Sequence, residues 1–168
     1  MNSLSTKIKQ LHDRVFGLTL YVQSSFLLFV RLYWGWQLWQ SGWGKLHNLD
    51  RVTVFFTSLN LPAPAQMAVF IACVEFFGGI LFALGAFSRV TSLVLTVNLT
   101  MAYVLADREA LLSIFSDPDK FMAAAPFAFL FASLLVLIFG AGKLSADRAV
   151  GYILEHRGAR RPERSIAV

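Results

Sequence analysis

A chain of 168 residues that is 57% hydrophobic, 14% aromatic and 15% charged is too apolar for an ordinary soluble domain, whose apolar share is about 45–50%. Its formal charge of +5 does not point to nucleic acid: no aromatic-interleaved basic patch exists, and the cations lie at the ends of apolar runs and in the tails. One cysteine, Cys73, excludes an internal disulfide and a CxxC redox pair, and reads as a small apolar helix residue.

Residues 1–17 read as a basic tail. No cleavable leader is expected, since no A-x-A site precedes the first apolar run. That run extends from about Leu18 to Trp43, with Gln23, Ser24 and Ser25 suited to an interface. A loop follows in which Val52, Phe55, Phe56 and Leu59 recur at helical spacing before the breaker Leu61-Pro62-Ala63-Pro64. The second run, Met67–Phe87, and the third, Val90–Ala106, flank a tight turn holding Arg89. A second loop carries Leu111, Leu112, Ile114 and Phe115 ahead of Ser116-Asp117-Pro118-Asp119. Both loops read as short amphipathic helices on the bilayer face, either capping the bundle or covering a pocket. The fourth run, Met122–Ala141, is almost unbroken, and the glycines at 140 and 142 stop it. Ser145 then reads as the N-cap of a further helix, with Asp147 near its positive end. Residues 148–168 form a basic tail suited to anionic head groups.

Each run meets the roughly 17–25 residues that a membrane-crossing helix needs, and none alternates with period two as a membrane barrel would. The expected fold is an all-α bundle of four transmembrane helices over residues 18–147. Lys and Arg set its direction. Lys7, Lys9, Arg14, Arg89, Lys143, Arg148, Arg157, Arg160, Arg161 and Arg164 fall on one side; only Lys45, Arg51, Arg108 and Lys120 fall on the other. Both termini are therefore expected in the cytoplasm.

Two ionisable residues stand inside apolar runs, Arg31 and Glu75. A charge at the centre of a bilayer costs about 2.5–3.5 kcal/mol on insertion scales and normally faces a partner or a cavity. Arg31, Gly35, Leu38, Gly42 and Lys45 share one seam of the first helix. Glu75, Gly78, Gly79, Phe82, Gly85 and Arg89 form a comparable stripe on the second. Small residues allow such faces to approach closely, so the two helices are expected to pack together with Arg31 and Glu75 paired near mid-depth. Three roles are open for the pair: a register-fixing ion pair, the polar floor of a ligand cavity, or a proton relay. Trp36, Trp39, Gln40, Lys45, His47 and Asn98 are the further candidates for a pocket or its mouth, the tryptophans as flat-ring walls. Each has a plain alternative, as inter-helix contact or interfacial anchor. No metal site is expected, because His12, His47 and His156 lie far apart and no chelating spacing occurs. No nucleotide or hydrolase signature is present.

The sequence Gly42-Trp43-Gly44-Lys45-Leu46 after Arg31, then Glu75-Phe76-Phe77-Gly78-Gly79, Leu84-Gly85 and Arg89, and finally Gly140-Ala141-Gly142-Lys143-Leu144-Ser145-Ala146-Asp147, resembles the DoxX family of small four-helix bacterial membrane proteins. The resemblance extends over roughly residues 20 to 150. It implies that Arg31, Lys45 and Glu75 are the family's polar positions. Some relatives resemble subunits of a thiosulfate:quinone oxidoreductase, and others accompany oxidative-stress enzymes. By that resemblance the chain is expected in the bacterial inner membrane, in contact with lipids and with a protein partner or a second copy. It would act as an accessory subunit of a quinone-linked redox or stress system, holding no cofactor of its own beyond a bound quinone. The alternative is a non-catalytic anchor or assembly partner of a larger membrane complex. A small transporter is a weaker third, since the spans are unbroken.

Overall fold

The computed structural model describes residues 3–158, and all regular structure among them is helical. Eight helices follow one another: α1 Ser3–Leu46, α2 Leu49–Ser58, α3 Pro64–Leu84, α4 Ser88–Leu105, α5 Arg108–Leu112, α6 Pro118–Ala123, α7 Pro126–Phe139 and α8 Ala146–Gly158. α2, α5 and α6 lie at one end of the bundle, called here the loop end. The α3–α4 turn and the start of α8 lie at the other, the turn end.

Local chemistry sets these bounds. α1 runs for 44 residues because nothing before His47 breaks it; residues 3–17 continue the first apolar run as helix rather than forming a separate tail. Prolines open α3, α6 and α7 at the first helical position, where a missing N–H costs nothing. Asp117 caps α6 by accepting from the Lys120 N–H at 3.1 Å. α3 ends in a Schellman turn: Gly85, at φ 65°, donates to Phe82 O and Ala86 donates to Leu81 O. The fourth apolar run is shorter than expected. Ala124 turns to extended backbone (φ −64°, ψ 140°), and Pro126, which has no N–H to donate back to the preceding turn, opens a new helix, so α7 holds 14 residues and Met122 belongs to α6. Ser145 caps α8 as expected, its Oγ accepting from the Arg148 N–H at 3.3 Å. The segment from residue 159 onward, with Arg160, Arg161 and Arg164, lies outside the described residues.

Two helices, α3 and α4, are long and apolar enough to cross a membrane; α7 is as apolar but shorter. The principal helices form a ring in the order α1–α3–α4–α7, closed by α7 on α1, and no comparable contact joins α1 to α4 or α3 to α7. Val30 and Leu38 from α1, Phe82 from α3, Leu95 and Leu99 from α4, and Ala132 and Val136 from α7 fill the centre. Trp34 meets Phe129 of α7 edge-on at 5.3 Å.

α1 and α3 run antiparallel and nearly touch along their backbones. A Cβ at position 42 would lie 2.3 Å from the Phe76 nitrogen, and one at position 79 would lie 2.5 Å from the Trp39 nitrogen. In lipid, where burying apolar surface between helices gains little, such close van der Waals contact is what holds helices together. The two glycine-bearing faces meet as expected, and their contacts fix the register: Gly35 against Gly79 and Ala83, Gly42 against Ala72 and Phe76.

Candidate functional site

That register decides where the charges go. Counting along the antiparallel pair, Ser41 comes opposite Glu75, and Arg31 comes opposite Gly85. Arg31 lies ten residues from Ser41, about 15 Å at 1.5 Å per residue. The expected Arg31–Glu75 pair is therefore absent; each charge has its own partners at its own end of the bundle.

At the loop end, Glu75 is buried and accepts from Ser41 Oγ at 2.8 Å and from the Lys45 ammonium. Its side chain keeps 7% exposure against 31% for Lys45, so the carboxylate forms the floor and the ammonium the rim. Beside this pair is a cavity of about 800 Å3 between α2, α3 and α4. Its walls are almost entirely apolar, from Ile71 and Val74 on α3 to Val94 and Ala102 on α4. Val52, Phe55, Phe56 and Leu59 from the α2 segment cover it. The first loop thus roofs a pocket rather than only capping the bundle. Phe70, Val97 and Met101 line the cavity and are also about half exposed on the flanks of α3 and α4. The cavity therefore opens sideways, between two helices apolar enough to sit in lipid.

Its polar groups are few, and most are donors. Lys45 has three ammonium hydrogens and Glu75 takes one of them. The Asn98 amide lines the cavity and makes no hydrogen bond. Arg51 stands at the α2 edge with no ion pair among the described residues. Such a set suits an apolar molecule with acceptor oxygens at one end. No cluster of His, Cys, Asp or Glu among the described residues is suited to a metal ion, and Cys73 is a free, half-buried thiol.

Of the residues expected at a pocket, Lys45 and Asn98 are in it, with Glu75. Trp36, Trp39, Gln40 and His47 are not. They lie on the side of α1 away from α2. There Trp39, Trp43 and His47 stack in series, with ring centroids 6.4 and 4.1 Å apart, and Phe76 packs on Trp43 at 5.8 Å. Trp36 leans on Trp39 and is largely exposed, as is Gln40. Ser41 went unnoticed in the sequence, although its i, i+4 relation to Lys45 places both on the face toward α3.

At the turn end, Arg31 is fully buried; its Nε donates to Leu27 O at 3.4 Å and its Nη2 donates to Leu144 O. Its Nη1 rests against Gly85, where a Cβ would come within 1.7 Å. Asp147 supplies the nearby negative charge. The same carboxylate accepts from the Phe87 N–H at 2.7 Å, the Ser88 N–H at 2.8 Å and Ser88 Oγ at 2.6 Å, while its own N–H donates to Gly85 O at 3.1 Å. It therefore caps α4, not only α8. Partial burial pushes the Asp147 carboxyl up, but the bonds from Ser88 and Phe87 and the Arg31 charge outweigh that and hold it below its ordinary range. The Gly140–Asp147 segment is in this way a clasp that ties α1, the α3–α4 turn and α8 together.

The DoxX family matches the chain over residues 26–108. That match supports assignment of the chain to the DoxX family. No curated protein and no solved structure matches it. The DoxX match holds every residue that lines the cavity, from Lys45 to Ala106. It also holds Arg31 and the α3–α4 turn, while the clasp segment that grips them lies beyond it. Asp147 as a cap on α4 is the DoxX chain's least legible feature, since 59 residues separate it from Ser88.

Proposed function

We propose that this DoxX protein is a multi-pass inner-membrane protein, with α1, α3, α4 and α7 as its spans and both termini in the cytoplasm, that binds a lipid-soluble quinone as the accessory subunit of a quinone-linked redox or oxidative-stress system. The observation that carries this reading is the cavity beside Lys45 and Glu75: about 800 Å3, walled by hydrocarbon, open toward lipid and furnished at one end with unused donors. Small-molecule pockets run from about 300 to 1,000 Å3, mostly apolar with a few convergent polar groups. A quinone ring presents carbonyl acceptors to Lys45 and Asn98, and its isoprenoid chain leaves between α3 and α4. Glu75 holds the ammonium in place and neutralises it when the cavity is empty. In this reading electrons come from a partner protein and pass to the quinone.

The test is to purify the protein in mild detergent from quinone-containing membranes, extract it with organic solvent and quantify quinone per chain. Near-stoichiometric quinone is expected, and Val97→Trp, which fills the cavity from α4, removes it without loss of helical content. Failure to retain or take up quinone, or retention unchanged by Val97→Trp, would sink the reading. A second reading, a non-catalytic anchor or assembly partner, is favoured by one observation: Phe115 stands 94% exposed between α5 and α6, a projection suited to insertion into another surface. It predicts that Phe115→Ser weakens co-purification of a partner chain and leaves quinone content unchanged.

A further inference from the structure

A second groove lies at the turn end, separate from the quinone cavity. Gln23, Ser24 and Leu27 of α1 face Gly142, Lys143 and Arg148 across about 310 Å3. Neither cation forms an ion pair among the described residues. The Lys143 ammonium is steadied over the Tyr21 ring, 4.6 Å from its centroid. Arg148 projects from the first turn of α8, whose backbone Ser145 caps. Asp147, next to Arg148 in the chain, is already engaged with Phe87 and Ser88, so it does not occupy the groove. The buried Arg31 guanidinium adds further positive potential through the wall at Leu27. The Gln23 amide is exposed and makes no hydrogen bond of its own. On the adjacent face of the same turns of α1, Val22 and Phe26 are 67% and 52% exposed.

These features describe a head-and-tail site. Two unpaired cations and an amide converge on a small polar recess, which suits the charge-assisted bonds that a phosphate accepts. An apolar strip begins at its edge and runs along the helix toward mid-bundle. A free phosphate would use the first part only; a phospholipid uses both. We propose that this groove binds the phosphate group of an anionic phospholipid, with Lys143 and Arg148 on the head group and the acyl chains laid along Val22 and Phe26. Bound there, the lipid bridges α1 to the clasp segment and stabilises the junction of α1, α4 and α8.

The experiment is native mass spectrometry of the full chain in mild detergent, supplied with phosphatidylglycerol or phosphatidylethanolamine at equal concentration. The wild type is expected to retain phosphatidylglycerol preferentially. The double variant Lys143→Gln/Arg148→Gln is expected to retain it about thirtyfold less, the size expected from removing two cations at a membrane surface. Arg108→Gln/Lys120→Gln, with the same charge change at the loop end, is expected to behave as wild type. Equal retention of the two lipids, or equal loss in both double variants, overturns the proposal. Displacement of phosphatidylglycerol by millimolar inorganic phosphate also overturns it, in favour of a free-phosphate site. Arg148→Gln alone, whose backbone cap is untouched, serves as the variant if the double one fails to fold.

Discussion

Replacing Asp147 probes the clasp directly. Asp147→Ala deletes three hydrogen bonds, from Phe87 N, Ser88 N and Ser88 Oγ, and removes the negative charge near buried Arg31. Bonds to a charged acceptor are worth about 1.5–3 kcal/mol each when buried. Asp147 lies at the surface, however, so water takes up the released donors. The relevant scale is then the loss of an N-cap, about 0.5–2 kcal/mol, plus about 0.3–1 kcal/mol for a carboxylate at a helix N-terminus. Together with the lost compensation of Arg31, Asp147→Ala is expected to cost roughly 2–3 kcal/mol. Asp147→Asn keeps an accepting oxygen without its charge and should cost about half as much, on the order of 1 kcal/mol. Thermal unfolding in detergent, followed by circular dichroism, should show the alanine variant melting roughly 5–10 °C lower. The carboxyl is held below its ordinary value of 3.8, so its stabilising contribution is fully present above that pH and is lost as the pH falls through the lower native value. The gap between wild type and Asp147→Asn should therefore be constant at neutral pH and close in strong acid. Alanine and asparagine variants that melt together, or a gap that persists in strong acid, would refute the capping role.

The remaining predictions concern the α1–α3 seam, the outer pair and the turn. Gly42→Ala drives a methyl into the Phe76 backbone and should cost about 2–3 kcal/mol as an overpacked contact. Gly44→Ala, two residues away with nothing within 4 Å, should instead gain about 0.5–1 kcal/mol through helix propensity; equal effects in a melting comparison would refute the close-contact account. Lys45→Met and Glu75→Gln should be non-additive. A double-mutant cycle is expected to give about 1–3 kcal/mol of coupling, below the cost of breaking a fully buried pair because the Lys45 side chain is 31% exposed. Additive losses would mean that the two side chains do not pair. Phe87 adopts φ 46° with its ring 74% exposed. Phe87→Gly should relieve left-handed strain and raise stability by about 0.5–1 kcal/mol net of glycine's entropy; a lower melting temperature would show that the ring matters more than the backbone.

The apolar periodicity made α3 and α4 legible to within about three residues, and the glycine spacing on α1 and α3 announced the face on which they meet. Depth was harder to read. Arg31 and Glu75 each fall near the middle of their apolar runs, and hydropathy alone puts them level. Their true separation depends on the sliding register of two antiparallel helices, and Gly42 on Phe76 sets that register through a backbone approach too close to admit a Cβ, which no single-helix pattern encodes. Lys45 and Asn98 were legible as polar residues near the mouth because charges and amides are costly there. Trp36 and Trp39 misled, since an aromatic stripe faces lipid as readily as a ligand. The α7 start was missed because Met122-Ala123-Ala124-Ala125 carries no charged or polar side chain to mark a boundary, and only Pro126, which has no N–H to donate, divides it from the helix. Asp147 offered no signal at all, because a cap supplied from another helix leaves no local spacing to find.

The two buried charges are different kinds of group, and the difference assigns function to one end. Arg31 donates to carbonyls from Nε and Nη2, while its Nη1, packed against Gly85, is buried without a hydrogen-bond partner; its countercharge is itself committed to capping α4. Nη1 is enclosed by the Gly85 backbone, so any group large enough to reach it would have to displace backbone. Glu75 also has two partners, but one of them, Lys45, keeps further hydrogens at the edge of the cavity, which the unbonded Asn98 amide also lines. With the Lys45 side chain 31% exposed, those hydrogens are accessible to a molecule that enters the cavity. A chain selected only for a sturdy bundle would have closed this end with hydrocarbon, as α7 closes the opposite wall. Accessible donors beside an apolar cavity make the loop end the better candidate for a ligand site.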